Sequence, residues 1–242
     1  MLYTFGDSMT YGWDLARTGM TDEERQAITW PLLLSKKIGQ PVKDFSYPGV
    51  SSWRIARQIQ NLSLSSDDTV VIQWTNPYRF EFGVSEEYNY NQTLKDTDPH
   101  HNPDYDQFDV IEKVNGIRTK MMCSTLLYRT SDGPHKDFMS YAYNEMRNDE
   151  WYEEMFRIMM ASCLYHFEKS ECKFIMFDGW KRQCHPSFFS DIPQYLLRGS
   201  TTAANYGRGH NGTELVDKKY PTPSEHKRIA DFVALNLQKI YG

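Results

Sequence analysis

LYTFGDSMTYG, residues 2–12, places a short apolar run directly before a glycine, an aspartate and a serine. Residues 2–5 predict a first strand, and Gly6 permits a tight turn into a following helix. A serine at such a junction meets the N-terminus of the helix, whose free N–H groups favour negative charge. Ser8 is therefore a candidate nucleophile, although a serine in an Asp-Ser turn has the same local pattern.

The chain after this stretch alternates between helix and strand patterns. Helical spacing of apolar residues at 30–38 and 52–62 alternates with short apolar runs at 42–45 and 70–74. Residues 151–162 predict another helix, and 173–177 predict a buried strand. The last helix begins with a capping box, Thr222-Pro223-Ser224-Glu225. This alternation predicts a three-layer α/β/α domain with a mostly parallel sheet.

Residues 80–140 interrupt the alternation with many acidic residues and three prolines. We predict one domain over residues 1–242 that carries this acidic segment as an insertion at about 81–140, with a short helix near 110–123. Long insertions in compact domains serve as lids, binding loops or interaction surfaces. A protein partner bound through the insertion is therefore one expectation.

Composition and charge exclude several classes of function. The formal net charge is -5, which argues against a nucleic-acid-binding surface and against a polybasic membrane patch. No stretch approaches the roughly 20 apolar residues of a membrane span, and no secretory signal pattern precedes the first strand. The expected location is the cytoplasm, or the virion if the chain is phage-encoded.

The four cysteines form no Cys-x-x-Cys pair, so the sequence predicts neither a zinc site nor another metal site. Their thiols are expected to be buried and structural rather than reactive. No pattern in the chain calls for a cofactor.

Two further segments follow predicted strands as Ser8 does. Gly49 comes after the second strand, and Asn76 comes after the third. The carboxyl ends of parallel strands meet at one edge of a sheet, so Ser8, Gly49 and Asn76 should converge there. A serine, a backbone N–H and an amide side chain supply a nucleophile and an oxyanion hole. A turn glycine and a strand-capping asparagine are the plainer interpretations of the last two.

At this point the sequence resembles the SGNH (GDSL) hydrolase family, and phage-encoded members in particular. FGDSMTYG is similar to the first block of that family, with Ser8 as nucleophile and first oxyanion donor. Gly49 matches the glycine of the second block and Asn76 the asparagine of the third. The resemblance implies a flavodoxin-like fold. The third block departs from the pattern, because Trp74 and Pro77 stand where the family has glycine and aspartate.

The last block departs further. The family places Asp-x-x-His before the final helix, and Asp217 and Pro221 fit that pattern, but Tyr220 stands in the histidine position. Three alternatives follow for the general base. His226, at the start of the final helix, could replace the usual base with Asp217 orienting it. His210, in a glycine-rich loop, could take the role. The third alternative has no base, and His226 is then a helix-surface residue.

The resemblance implies a serine ester hydrolase, and removal of O-acetyl groups from carbohydrate is the activity it makes plausible. The substrate would be a small-molecule or carbohydrate ester. The rival function is a binding or structural protein that keeps the fold without turnover, such as a component of a phage particle.

Overall fold

The structure is a computed structural model, and it describes residues 1–16, 18–75, 79, 81–84, 110–114, 117–123, 149–179, 194 and 221–242. In chain order, its helices and strands are β1 (Leu2–Phe5), α1 (Ser8–Tyr11), α2 (Trp13–Ala16), α3 (Asp22–Ile28), α4 (Trp30–Ile38), β2 (Val42–Asp44), α5 (Ser52–Gln60), β3 (Thr69–Trp74), β4 (Glu81–Val84), β5 (Val110–Val114), β6 (Ile117–Cys123), α6 (Asp149–Ser170), β7 (Lys173–Asp178) and α7 (Pro223–Tyr241).

Four strands form a parallel sheet in the order β2-β1-β3-β7. Leu2 of β1 is in register with Val42 of β2 and with Thr69 of β3, and Thr69 is in register with Lys173 of β7. All three pairings are parallel, so helical connections must return the chain to the same end of the sheet. The predicted α/β fold with a parallel sheet is confirmed.

Helices cover both faces of this sheet. The residues of β3 are buried along their whole length and alternate between two hydrophobic clusters: Ile72 belongs to the first cluster and Val71 to the second. The first cluster also takes residues from α5 and α6, and the second takes residues from α4 and α7. Because the two clusters lie on opposite faces of the sheet, the predicted three layers are confirmed. The largest fully buried members of the first cluster are Phe5, Ile55, Ile59, Ile72, Trp74, Phe156 and Phe167, and those of the second are Leu2, Met9, Trp30 and Leu34.

A second sheet contains β4, β6 and β5, in that order, with antiparallel pairing throughout. The short helix predicted near 110–123 is therefore wrong, because residues 110–114 and 117–123 form the antiparallel strands β5 and β6. Short apolar runs fit both a helix and a strand, so periodicity could not decide between them. The chain divides into two compact units, residues 78–152 and the remainder. That one domain carries an insertion at about 81–140 stays a prediction.

The unit formed by residues 1–77 and 153–242 contains a helix, α3, that the sequence patterns above did not predict. Helix α3 begins after Thr21, whose side chain accepts a hydrogen bond from the N–H of Glu24 while the Glu24 carboxylate accepts from the N–H of Thr21. The signal was present in the sequence, because Thr-x-x-Glu is a capping box. Across the described residues, none of the helices combines the length and the apolar character that crossing a bilayer requires.

Two of the four cysteines have side chains that the structure describes, and both match the prediction of buried thiols. Cys163 and Cys172 are free and buried. Burial raises the pKa of the Cys163 thiol to about 12, which leaves it protonated and unreactive at neutral pH.

The hydroxyl of Tyr241 forms hydrogen bonds with the backbone of β7, an outer strand of the four-stranded sheet. It accepts a hydrogen bond from the N–H of Phe174 and donates one to the carbonyl of Phe174, both over 3.0 Å. We expect Tyr241→Phe to lower the free energy of unfolding by about 1–3 kcal/mol, because it leaves two backbone groups unsatisfied. Urea unfolding measures this loss. Tyr3→Phe is the matched control and should change stability far less; equal losses in the two variants would contradict the prediction.

Candidate active site

Ser8 begins a one-turn helix at the carboxyl end of β1. Strand β1 ends at Phe5, and Gly6 and Asp7 lead into α1, whose first residue is Ser8. Ser8 is 4% exposed. Strand β1 lies between β2 and β3, so this junction is at the carboxyl ends of the strands and away from the outer strands of the sheet. Ligands bind at the carboxyl ends of strands in open parallel sheets. The strand-to-helix junction is observed, and the nucleophilic role of Ser8 stays a prediction.

The carboxylate of Asp7 holds this junction to β3. One oxygen, Oδ1, accepts hydrogen bonds from the N–H of Met9 and from Nε2 of Gln73, both over 3.0 Å. The other, Oδ2, accepts one from the hydroxyl of Thr75 over 3.0 Å. Asp7 is fully buried, and three donors on its carboxylate offset the cost of taking it out of water. The carboxylate therefore caps α1 and ties the ends of β1 and β3 together.

The carboxyl end of α1 is held just as firmly. Gly12, which ends the helix, donates its N–H to the carbonyl of Ser8 over 3.1 Å. The guanidinium of Arg25 donates to the carbonyl of Tyr11 and lies 3.6 Å from the centroid of the Tyr11 ring. Arg25 also pairs with Asp22 over 3.0 Å. A single helical turn is not stable by itself, so these contacts are what keep Ser8 in a helix.

Gly49 follows β2 in a turn that reaches the same edge. The N–H of Tyr47 donates to the carbonyl of Gly6 over 3.0 Å, so this turn is attached two residues before Ser8. The N–H of Val50 donates to the carbonyl of Tyr47 over 3.4 Å, and Gly49 between them has φ +79°. That left-handed conformation favours glycine. The structure brings the two segments together, while oxyanion binding by the Gly49 N–H stays a prediction.

Several residues that the family resemblance singles out lie outside the described residues, and they include Asn76, His210, Asp217 and Tyr220. Strand β3, which ends at Trp74, brings the chain within two residues of Asn76. The roles assigned to these four residues stay predictions.

His226 is fully buried in the first turn of α7. Its Nδ1 accepts a hydrogen bond from the backbone N–H of Trp30 over 3.3 Å, and its Nε2 has no partner among the described residues. Burial, and to a lesser degree the charge of Arg25, lowers the pKa of His226 to about 3. The interpretation of His226 as a helix-surface residue is therefore wrong.

These contacts make His226 a poor candidate for the general base. Because Nδ1 accepts a hydrogen bond, the proton of the neutral ring is on Nε2. Neither nitrogen then has a free lone pair that could take a proton from Ser8. A base also needs a pKa near the working pH, and burial holds that of His226 far below neutrality. The structure instead shows what His226 does. Trp30 is the first residue of α4, and the side chain of Thr29, which precedes it, makes no capping hydrogen bond. The ring of His226 accepts from the N–H of Trp30 instead, so a residue of α7 caps α4.

Half-buried aromatic side chains lie next to the Ser8 junction. The rings of Tyr11 and Tyr47 are 5.7 Å apart between centroids, and Trp13 lies 6.4 Å from Tyr11. The guanidinium of Arg54 lies 5.9 Å from the ring centroid of Tyr47. Tyr11 ends the helix that Ser8 begins, so this aromatic cluster (Tyr11, Trp13 and Tyr47) flanks the same edge of the sheet.

Two residues that bind the carboxylate beside Ser8, Gln73 and Thr75, were not among the residues predicted for the site. A signal for them existed, because Gln73 is a polar residue inside the apolar run of β3. Buried polar side chains require hydrogen-bond partners, so a glutamine in such a run indicates a polar neighbour across the sheet.

Comparison with known proteins adds little. No family model matches the chain, and no curated protein matches it. Among solved structures, the chain is similar to a protein from Desulfitobacterium hafniense DCB-2 that is provisionally described as a lipolytic protein of the G-D-S-L family. The identity is 9%, the TM-score is 0.47, and the match covers 97% of this chain and 98% of that chain. A likeness of this degree carries no argument about function.

The neutral, buried His226 makes stability depend on pH. Its pKa in the folded protein, about 3, lies below the value near 6.5 of an exposed histidine, so between these values the unfolded chain binds one more proton. The stability contribution is complete above about pH 6.5 and is lost as the pH falls. We expect this residue alone to cost about 1.4 kcal/mol between pH 7.5 and pH 5.5.

The control is His226→Asn, whose Oδ1 can replace Nδ1 as acceptor but cannot titrate. Urea unfolding at the two pH values should show a smaller loss of free energy for this variant than for the wild type. Equal losses would mean that His226 titrates normally in the folded protein.

Proposed function

We propose that this protein is a serine ester hydrolase of the SGNH type, with Ser8 as its nucleophile. The observation that carries the proposal is the junction where Ser8 begins α1, with the Gly49 turn attached to Gly6. This arrangement supports nucleophilic attack because it sets the serine at a helix N-terminus, where backbone N–H groups favour a developing negative charge.

In the proposed reaction, Oγ of Ser8 forms a bond to the carbonyl carbon of the ester and gives its proton to a base. The electron pair of the carbonyl moves to its oxygen, which accepts hydrogen bonds from the N–H groups of Ser8 and Gly49 and from the amide of Asn76. The carbonyl re-forms as the alcohol leaves with a proton. Water then attacks the acyl group on Ser8 and releases the carboxylic acid.

The base of this reaction is His210 in our proposal. His226 is committed to the N–H of Trp30, and its pKa is far too low for the role. His210 is the remaining histidine that the sequence analysis offered, and Asp217, which matches the family's aspartate, is the carboxylate that would orient it.

The substrate class in this proposal is an O-acetylated carbohydrate. Sugars present C–H groups on flat faces that pack well against aromatic rings, and the aromatic cluster of Tyr11, Trp13 and Tyr47 flanks the Ser8 junction. The partial exposure of these rings supports contact with a ligand larger than the ester group itself.

A rival proposal is a non-hydrolytic binding protein, such as a component of a phage particle. The observation in its favour is that His226 serves as a cap for α4, while Tyr220 stands where the family has its histidine. Loss of a base removes orders of magnitude in rate and leaves the binding surface intact.

Reaction with a fluorophosphonate probe and hydrolysis of p-nitrophenyl acetate decide between these proposals. We expect the wild type to be labelled at Ser8, and Ser8→Ala to lower kcat by about 1000-fold or more. His210→Ala should lower the rate by about 100-fold, because general base catalysis is lost. His226→Asn should be labelled as fast as the wild type. A wild type that is neither labelled nor active would favour the binding protein.

The aromatic cluster should contribute to the binding of carbohydrate substrates and not to the binding of esters without a sugar. Tyr47→Ala is expected to raise KM for an acetylated oligosaccharide about fivefold, equivalent to about 1 kcal/mol, because a ring that packs on the sugar is lost. KM for p-nitrophenyl acetate, which has no sugar, should change less than twofold. Tyr47→Phe keeps the ring and is the matched control. Equal effects on the two substrates would place Tyr47 outside the sugar contact.

A further inference from the structure

A line of fully buried polar side chains runs beneath Ser8. It joins Trp30, Thr10, Gln73 and Asp7, which come from α4, α1, β3 and the residue before α1. Nε1 of Trp30 lies 3.3 Å from Oγ1 of Thr10, Oγ1 of Thr10 lies 2.7 Å from Oε1 of Gln73, and Nε2 of Gln73 lies 3.0 Å from Oδ1 of Asp7. Three hydrogen bonds therefore connect α4 to the carboxylate that caps α1.

The chemistry of the groups fixes the direction of every bond in this line. The carboxylate of Asp7 accepts, so the group of Gln73 that faces it must be the amide NH₂. The amide oxygen of Gln73 then faces Thr10, whose hydroxyl must donate to it. The indole N–H of Trp30 can only donate, and it donates to the oxygen of that hydroxyl. All donors point toward Asp7, and bonds aligned in this way strengthen one another in a buried setting.

The fold leaves just enough room for the Gln73 amide. A methyl group on Gly179, which follows β7, would lie 2.3 Å from Nε2 of Gln73. The N–H of Gly179 donates to the carbonyl of Trp74 over 2.8 Å, so this backbone cannot simply move away. Any side chain at position 179 would therefore push the amide of Gln73 away from Asp7.

Packing alone does not require glutamine at position 73. Val71, the neighbouring residue of β3 on this face, is apolar and buried, and a leucine has nearly the shape of a glutamine. Leucine would leave the carboxylate of Asp7 and the hydroxyl of Thr10 each short of one hydrogen bond, so it would also lower stability. What leucine cannot do is donate to the carboxylate of Asp7.

We propose that Gln73 is a positioning residue for Ser8, which acts by fixing the carboxylate of Asp7 and, through it, the first turn of α1. The proposal rests on the serine-hydrolase function proposed above. Gln73 does not touch the substrate. Its contribution reaches Ser8 through Asp7, which binds the N–H of Met9, the residue that follows Ser8.

Two substitutions separate positioning from packing. Gln73→Leu removes the donor, and we expect kcat for p-nitrophenyl acetate and the labelling rate of Ser8 to fall about tenfold or more while KM changes less than twofold. Gln73→Glu keeps the acceptor for Thr10 but sets a second carboxyl group against Asp7. Two carboxyl groups at that distance share a proton at low pH and repel each other when both are ionised.

The labelling rate of Gln73→Glu, taken as a ratio to the wild type at each pH, should therefore rise as the pH falls from 9 to 6. Loss of packing alone would give a ratio that does not depend on pH. Gly179→Ala, which crowds the same amide without removing any polar atom, should reproduce the defect of Gln73→Leu.

Two controls lie away from this line. Gln60 also joins two elements, since its Nε2 donates to the carbonyl and the hydroxyl of Ser162 over 2.9 and 3.0 Å. Gln60→Leu and Gln60→Glu should leave kcat and its pH profile unchanged. Ile59→Ala removes a buried side chain from the first cluster, on the other face of the sheet, and should lower stability with little effect on kcat below its unfolding temperature.

Hydrogen exchange of the Met9 amide tests the positioning step without any chemistry. Gln73→Leu should speed this exchange at least about tenfold, and Ile59→Ala should affect it no more than other amides of the sheet. If the wild type shows no Ser8-dependent hydrolysis, the proposed function fails, and unchanged exchange at Met9 in Gln73→Leu would overturn the positioning role as well. If the wild type is active and Gln73→Leu keeps its labelling rate, the inference fails and the function stands.

Discussion

The carboxylate of Asp7 is the group on which the candidate site depends. Its two oxygens accept from the turn that begins α1, from the second-to-last residue of β3 and from the residue just beyond β3. A buried carboxylate with fewer partners would be costly, so all three donors must be in place together. The same contacts stabilise α1, a single helical turn that is too short to be stable by itself. Ser8 owes its place to this group rather than to the propensity of its own segment.

The parallel sheet explains why contacts from distant parts of the sequence meet here. Gly6, Thr75 and Gly179 each follow a strand, and parallel strands end at the same edge. Backbone bonds fix the spacing at this edge, since Tyr47 donates to Gly6 and Gly179 donates to Trp74. The chemistry at the edge is therefore set by residues just past the strands, while the strands themselves supply apolar packing on both faces.

Local patterns in the sequence predicted much of this fold. The apolar periods of β3 and α4 and the capping box before α7 are signals within one element, and the observed bounds follow them closely. Such patterns could not predict the contacts between helices and strands that are distant in the sequence. The residues near His226 in the sequence do not indicate that its ring accepts a hydrogen bond from the first amide of α4. Its position at the start of a helix predicted only an exposed side chain. The antiparallel strands β5 and β6 were predicted as a helix because short apolar runs fit both periods.

The bond between His226 and Trp30 also bears on how fast the protein reaches its native state. It joins residues 196 positions apart in the chain, and Gln73 and Asp7 are 66 apart. Contacts of such separation carry a large entropic cost before they return any stabilisation, and domains rich in them fold slowly. A chain in which residues 1–75 have collapsed but α7 has not docked would expose the amide of Trp30 and the second hydrophobic cluster. Exposed apolar surface of this kind promotes aggregation, and the docking of α7 covers it.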